Sequence, residues 1–173
     1  MKKIYILLMH TKTIPSKVIK FVTKYEYSHV AISLEKECNT IYSFGRKNVN
    51  SIIDSGFSIE NKNGDFFKKF NQTQSCIYEV EVTDENFNKI SYFINMMVKE
   101  HKKYKYDYLG IILRLSGRPY IRKDKYVCSF FVAELLEKSD IYKFNKATCL
   151  VKPKDFANIN KFKKVYSGEY LKY

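Results

Sequence analysis

Residues 125–138 read KYVCSFFVAELLEK, and Cys128 stands where the character of the chain changes. Before it lies a short apolar, strand-like run; after it come Ala, Glu, Leu and Lys, residues that favour a helix. The thiol is therefore predicted in the first turn of a helix. There the unpaired backbone N–H groups favour a thiolate and help to bind an oxyanion. A helix end supplies only about 1 kcal/mol, less than one pKa unit. Thiol chemistry needs a base from elsewhere in the chain.

Three histidines are candidates. His29 opens the apolar, β-branched run SHVAISLE, a rigid element able to hold an imidazole against a helix terminus. His10 ends the first strand-like run and is the weaker contender. His101 lies in KEHKK, the basic end of a helical segment, where a cation suits the helix dipole, and it is expected to be an exposed helix-terminal residue. The histidines show no HExxH spacing and the four cysteines no CxxC pair, so neither a metal nor a cofactor is expected. Cys38, Cys76 and Cys149 are read as small buried hydrophobes.

The 173 residues suit one domain, 1–173, with a core large enough to need no disulfide. The opening MKKIYILLMHTK has too short an apolar run for a signal peptide or a membrane span. A cytoplasmic location is the expectation. The net charge of +13 favours anionic partners, although an excess of Lys, Asn, Ile, Tyr and Phe also follows from AT-rich codons.

Along the chain, residues 3–9 are predicted as a strand and 13–25 as a short amphipathic helix with Pro15 at its start. Two strands, 28–35 and 40–44, form a predicted hairpin through the turn KECN. Residues 45–74, rich in Asn, Gly, Ser and Asp, are predicted as a long loop and part of a substrate rim. CIYEVEVT alternates as a strand with Ile77, Glu79 and Glu81 on a wet face. Asp84 is the expected cap of a helix bearing Phe87, Ile90, Phe93, Ile94 and Met97. YKYDYLGIIL passes from polar to apolar before SGRP breaks it. LVKPKDF is a predicted turn into the last strand, FKKVY. Mixed elements without regular βαβ alternation point to the α+β class.

YSHVAISLE followed about a hundred residues later by YVCSFFVAELL resembles the permuted papain-like cysteine hydrolases of the NlpC superfamily, as in YiiX-like proteins. The upstream YKYDYLG and the downstream VKPKDF are similar to further segments of that family, and the likeness runs from about Ile4 to about Phe156. It implies a papain-like, circularly permuted fold with a mostly antiparallel sheet packed against helices. It also implies that Cys128 is the nucleophile and His29 its base, paired at rest as thiolate and imidazolium. Tyr106 matches a tyrosine that can assist at the oxyanion site, with an ordinary interfacial aromatic as the alternative. Relatives often carry His, Glu, Asn or Gln where this chain has Ser43, leaving Ser43, Glu60 or the backbone alone to orient the imidazole. Arg46, just beyond, is a candidate for holding a substrate carboxylate or phosphate.

The expected activity is therefore that of a thiol hydrolase, amidase- or peptidase-like, acting on a peptide, amide or acyl-ester substrate. Lipid acyltransferases among the permuted relatives, peripheral membrane contact, and a papain-like scaffold that only binds a partner remain alternatives. So does a basic-aromatic module for nucleic acid built on FFKKF or YKYKYDY, which no RNP-type, KH or helix-turn-helix signature supports.

Overall fold

The computed structural model describes residues 1–10, 25–47, 54–114 and 116–173. The helix expected over residues 13–25 lies, apart from Tyr25, outside the described residues. Eight strands form one sheet: β1 (Lys2–His10), β2 (His29–Ser33), β3 (Thr40–Arg46), β4 (Ser55–Asn61), β5 (Gln74–Val82), β6 (Lys105–Tyr106), β7 (Lys125–Tyr126) and β8 (Lys163–Glu169). Their order is β7-β6-β4-β3-β2-β1-β5-β8, and every neighbouring pair is antiparallel except β6 with β7. The described helices are α1 (Asp65–Lys69), α2 (Asp84–Lys99), α3 (Tyr108–Arg114), α4 (Cys128–Lys138) and α5 (Pro153–Phe156). The class is mixed α+β, with a mostly antiparallel sheet.

The unbroken apolar run of β1 follows from its central place. Ile4, Ile6 and Leu8 enter the larger core with Val30, Ile32, Phe44, Phe57 and the α4 residues Phe131 and Val132. Tyr5, Leu7 and Met9 face the other way, into a second cluster with Ala31, Ile41, Phe67 and Tyr170. A strand buried on both faces has no polar alternation to display. The second cluster also takes Ile77, which corrects the expectation of a wet face there; Glu81 is exposed, and Glu79 binds Lys3 Nζ at 2.8 Å.

Residues 45–74 are not one loop. They contain β4, paired with β3 from Thr40↔Asn61 to Arg46↔Ser55, and the short α1, whose Phe67 is fully buried. Of the apolar residues of β4 only Phe57 turns inward, while Ile59 is 48% exposed, so composition hides the strand. Thr83, not Asp84, caps α2 by accepting the Asn86 N–H at 3.1 Å. VKPKDF, expected as a turn, forms the short helix α5 instead: Asp155 Oδ2 accepts the Lys152 N–H at 2.7 Å at its start, and Phe156 is fully buried.

Candidate active site

The sheet is interrupted beside Cys128. Between β2 and β3 only Ile32 and Tyr42 form a ladder pair. Continued by two residues, that register would pair Val30 with Phe44 and consume both main-chain polar groups of Val30. Side chains take them instead. The Val30 N–H is directed at the Cys128 sulfur, and the Val30 carbonyl accepts the Ser43 hydroxyl at 2.6 Å. Ser43 Oγ also lies 3.0 Å from His29 Nε2. Cys128, Ser43 and His29, from three different elements, thus meet around one residue.

The protonation state of the ring follows from donor arithmetic. A serine hydroxyl has one proton and can accept at its lone pairs. Ser43 commits its proton to the Val30 carbonyl, which can only accept. Towards His29 it therefore offers a lone pair, and Nε2 must carry the hydrogen. In the neutral ring Nδ1 is then unprotonated and able to act as a base. Ser43 is buried at 1% exposure, so water does not compete for this contact. No hydrogen bond joins the His29 ring to the thiol among the described residues; they are linked through Val30 and Ser43.

Burial sets the resting charges. It pushes His29 down to about 4, with no charged partner opposing it. Burial also pushes the Cys128 thiol up, against the N–H groups of Val30, Ser129 and Cys128 itself, which favour the anion. Both directions favour the uncharged forms. Burial thus opposes the resting thiolate and imidazolium implied by the family resemblance and favours a neutral thiol and a neutral imidazole. Cys128 does open α4 as expected; its cap, Val127, provides no side-chain hydrogen bond, so the first-turn N–H groups stay available.

Tyr106, at the end of β6, is half-buried. Its phenol is held well above its usual value by burial first, with Cys128 the next contributor, which brings it within electrostatic reach of the thiol. Its hydroxyl has no hydrogen-bond partner among the described residues and is free to meet a ligand. The next residue, Asp107, does something composition did not signal. It is fully buried and accepts from the Gly110 N–H at 3.0 Å and Arg122 Nη1 at 3.0 Å, with Arg114 Nη2 at 3.3 Å. A β-carbon at Gly110 would overlap its carboxylate. This clamp fixes the backbone on which Tyr106 sits.

Glu60 does not bond His29. Its Oε1 accepts from Ser58 Oγ at 3.1 Å, and the same hydroxyl, with one proton to give, lies 3.4 Å from the Ser43 carbonyl. Above Gly45 a β-carbon would lie 3.5 Å from His29 Cε1 and 4.0 Å from Glu60 Oε1, so this glycine keeps the floor beneath the ring open. Burial raises Glu60 to about 7, opposed by the Ser58 hydroxyl. Arg46 is placed differently. It lines a cleft of about 580 Å³ beside β4 with Lys47, Asp54, Glu60, Asp65 and His101, and neither Cys128 nor His29 borders that space.

His101 is exposed beyond α2, its Nδ1 3.1 Å from the Val98 carbonyl oxygen. Cys38, Cys76 and Cys149 are buried free thiols. Among the described residues no group of three His, Cys, Asp or Glu could hold a metal ion, and no helix is long and apolar enough to cross a membrane. No protein-family model matches the chain. No curated protein matches it either.

Proposed function

We propose that the chain is a thiol hydrolase that cleaves an amide or ester bond through an acyl-cysteine at Cys128, with His29 as base, on a permuted papain-like fold. The observation that carries the reading is the Ser43 contact, which leaves Nδ1 as the basic nitrogen of His29, while the following residue, Val30, directs its N–H at the Cys128 sulfur. The chain order, histidine strand before cysteine helix, is the one the permuted relatives imply.

In the first step the sulfur attacks the carbonyl carbon while His29 Nδ1 removes the thiol proton, so no resting thiolate is needed. Negative charge grows on the carbonyl oxygen near the uncapped start of α4, where the N–H groups of Cys128 and Ser129 and the phenol of Tyr106 can donate to it. The carbon–nitrogen or carbon–oxygen bond breaks as Nδ1 returns its proton to the leaving group. Water then attacks the thioester, gives a proton to Nδ1, and the thiol is restored as the acid departs. The positive surface favours an anionic substrate, and a reducing cytoplasm would keep the four thiols free.

Intact-mass spectrometry after exposure to an activated acyl ester tests the reading. The expected result is one acyl group, mapped to Cys128, released by hydroxylamine, absent in Cys128→Ala and strongly reduced in His29→Ala. Acylation spread over other residues, or unchanged in His29→Ala, would overturn it.

A further inference from the structure

We infer that α3 and the loop after it form a docking surface for an anionic lipid bilayer. Tyr108, Leu109, Ile112 and Leu113 recur at spacings of one, four and five and occupy one side of α3, where all four are between 40 and 64% exposed. Tyr120 and Ile121 on the loop add 43% and 62% exposure. Six large apolar residues within fourteen positions depart from the single scattering usual on a soluble surface.

Helix and loop are held together from beneath. Asp107 binds Arg114 of α3 and Arg122 of the loop, and Arg114 Nη1 donates to the Tyr120 carbonyl at 3.1 Å. The buried ion cluster therefore keeps the two groups of exposed apolar side chains side by side before any partner arrives. That pre-ordering lowers the entropic cost of docking.

Charge selects the occupant. Residues 108–123 contain no acidic residue; they carry Arg114, Arg118, Arg122 and Lys123, of which Arg118 and Lys123 are exposed. Exposed apolar side chains with two exposed cations on the same loop, and tyrosines among them, suit the boundary between headgroups and acyl chains. At seven residues α3 can lie in that boundary and cannot span it. The surface does not depend on the hydrolase reading, although the 4.8 Å contact of the Tyr106 and Tyr108 rings would bring the Cys128 site to the lipid.

Co-sedimentation with vesicles of phosphatidylcholine, with and without phosphatidylserine, is the test. The full chain should pellet with the anionic vesicles, and high salt should weaken the binding. Ile112→Asp combined with Ile121→Asp should weaken it at least about tenfold while the circular dichroism spectrum stays unchanged. Arg118→Glu with Lys123→Glu should remove the preference for phosphatidylserine. Cys128→Ala should bind as the unaltered chain does, which separates this test from that of catalysis. Absence of vesicle binding overturns the proposal. So does binding that the isoleucine pair leaves intact, or an isoleucine-dependent self-association without vesicles, which would make the patch a protein interface.

Discussion

Ser43 Oγ lies 3.0 Å from His29 Nε2 and at the same time donates its only proton to the Val30 carbonyl at 2.6 Å. A serine is a poor substitute for a carboxylate when judged by charge. Here its proton is committed, so it acts as a fixed acceptor and selects the Nε2–H form of the ring. The residue that departs most from the family resemblance thus holds the imidazole as a hydrogen-bond acceptor.

Ser43→Ala is expected to lower kcat/KM for ester hydrolysis by about tenfold or more, because the ring loses the acceptor that sets its tautomer. Loss of the bond to Val30 should also cost about 1 kcal/mol in urea unfolding. Ser43→Thr should keep most of the activity. Nitrogen NMR of the unaltered chain should report a protonated Nε2. A protonated Nδ1 at neutral pH would refute the tautomer assignment.

With His29 held down to about 4 by burial, the base stays available well below the ordinary histidine range. The acid limb of kcat/KM should fall near pH 4, and a limb near 6.5 would indicate a solvated ring. The stability effect has a definite sign. The unfolded chain takes up the histidine proton below about 6.5 and the folded chain only near 4, so folding free energy declines as pH falls through that interval. His29→Gln should flatten this part of the stability profile.

Glu60 behaves in the opposite sense. Its folded value is raised to about 7 from 4.5, so the folded protein retains a proton that the unfolded chain releases, and stability declines as pH rises from about 4.5 to 7. Glu60→Gln should stabilise the protein at pH 8, since a neutral amide avoids the cost of the partly desolvated charge. Below pH 4 the two forms should unfold at nearly the same urea concentration. Equal stability at both pH values would show that Glu60 is solvated.

Asp107→Asn should cost about 3–5 kcal/mol, because Arg114 is 8% exposed and would keep its charge without a counterion. Gly110→Ala should also destabilise strongly, since the new β-carbon would displace the carboxylate. Thermal unfolding checks both. Near-neutral effects would mean that Asp107 is not the clamp between α3 and the loop.

The pattern of residues 4–9 was enough to recognise a buried strand, and the composition after Cys128 was enough to recognise a helix. Those features are local: side-chain volume, β-branching and helix propensity act over a few neighbouring positions. The pairing of Cys128 with His29 as candidates could also be seen, because a thiol at a helix start and an imidazole at a strand start are each recognisable by position. β4 is hidden in the sequence because its residues alternate weakly, and its identity comes from the ladder with β3.

What the chain's own text determined was therefore which residues could be strand, helix, thiol and base. Only the tertiary structure decided that the Val30 carbonyl accepts from Ser43, that burial disfavours charge on both His29 and Cys128, and that Asp107 joins Arg114 to Arg122. The reason is that hydrogen-bond direction and desolvation depend on what stands within a few ångströms in space. That neighbourhood is set by strand register and packing between segments far apart along the chain, which no local pattern encodes.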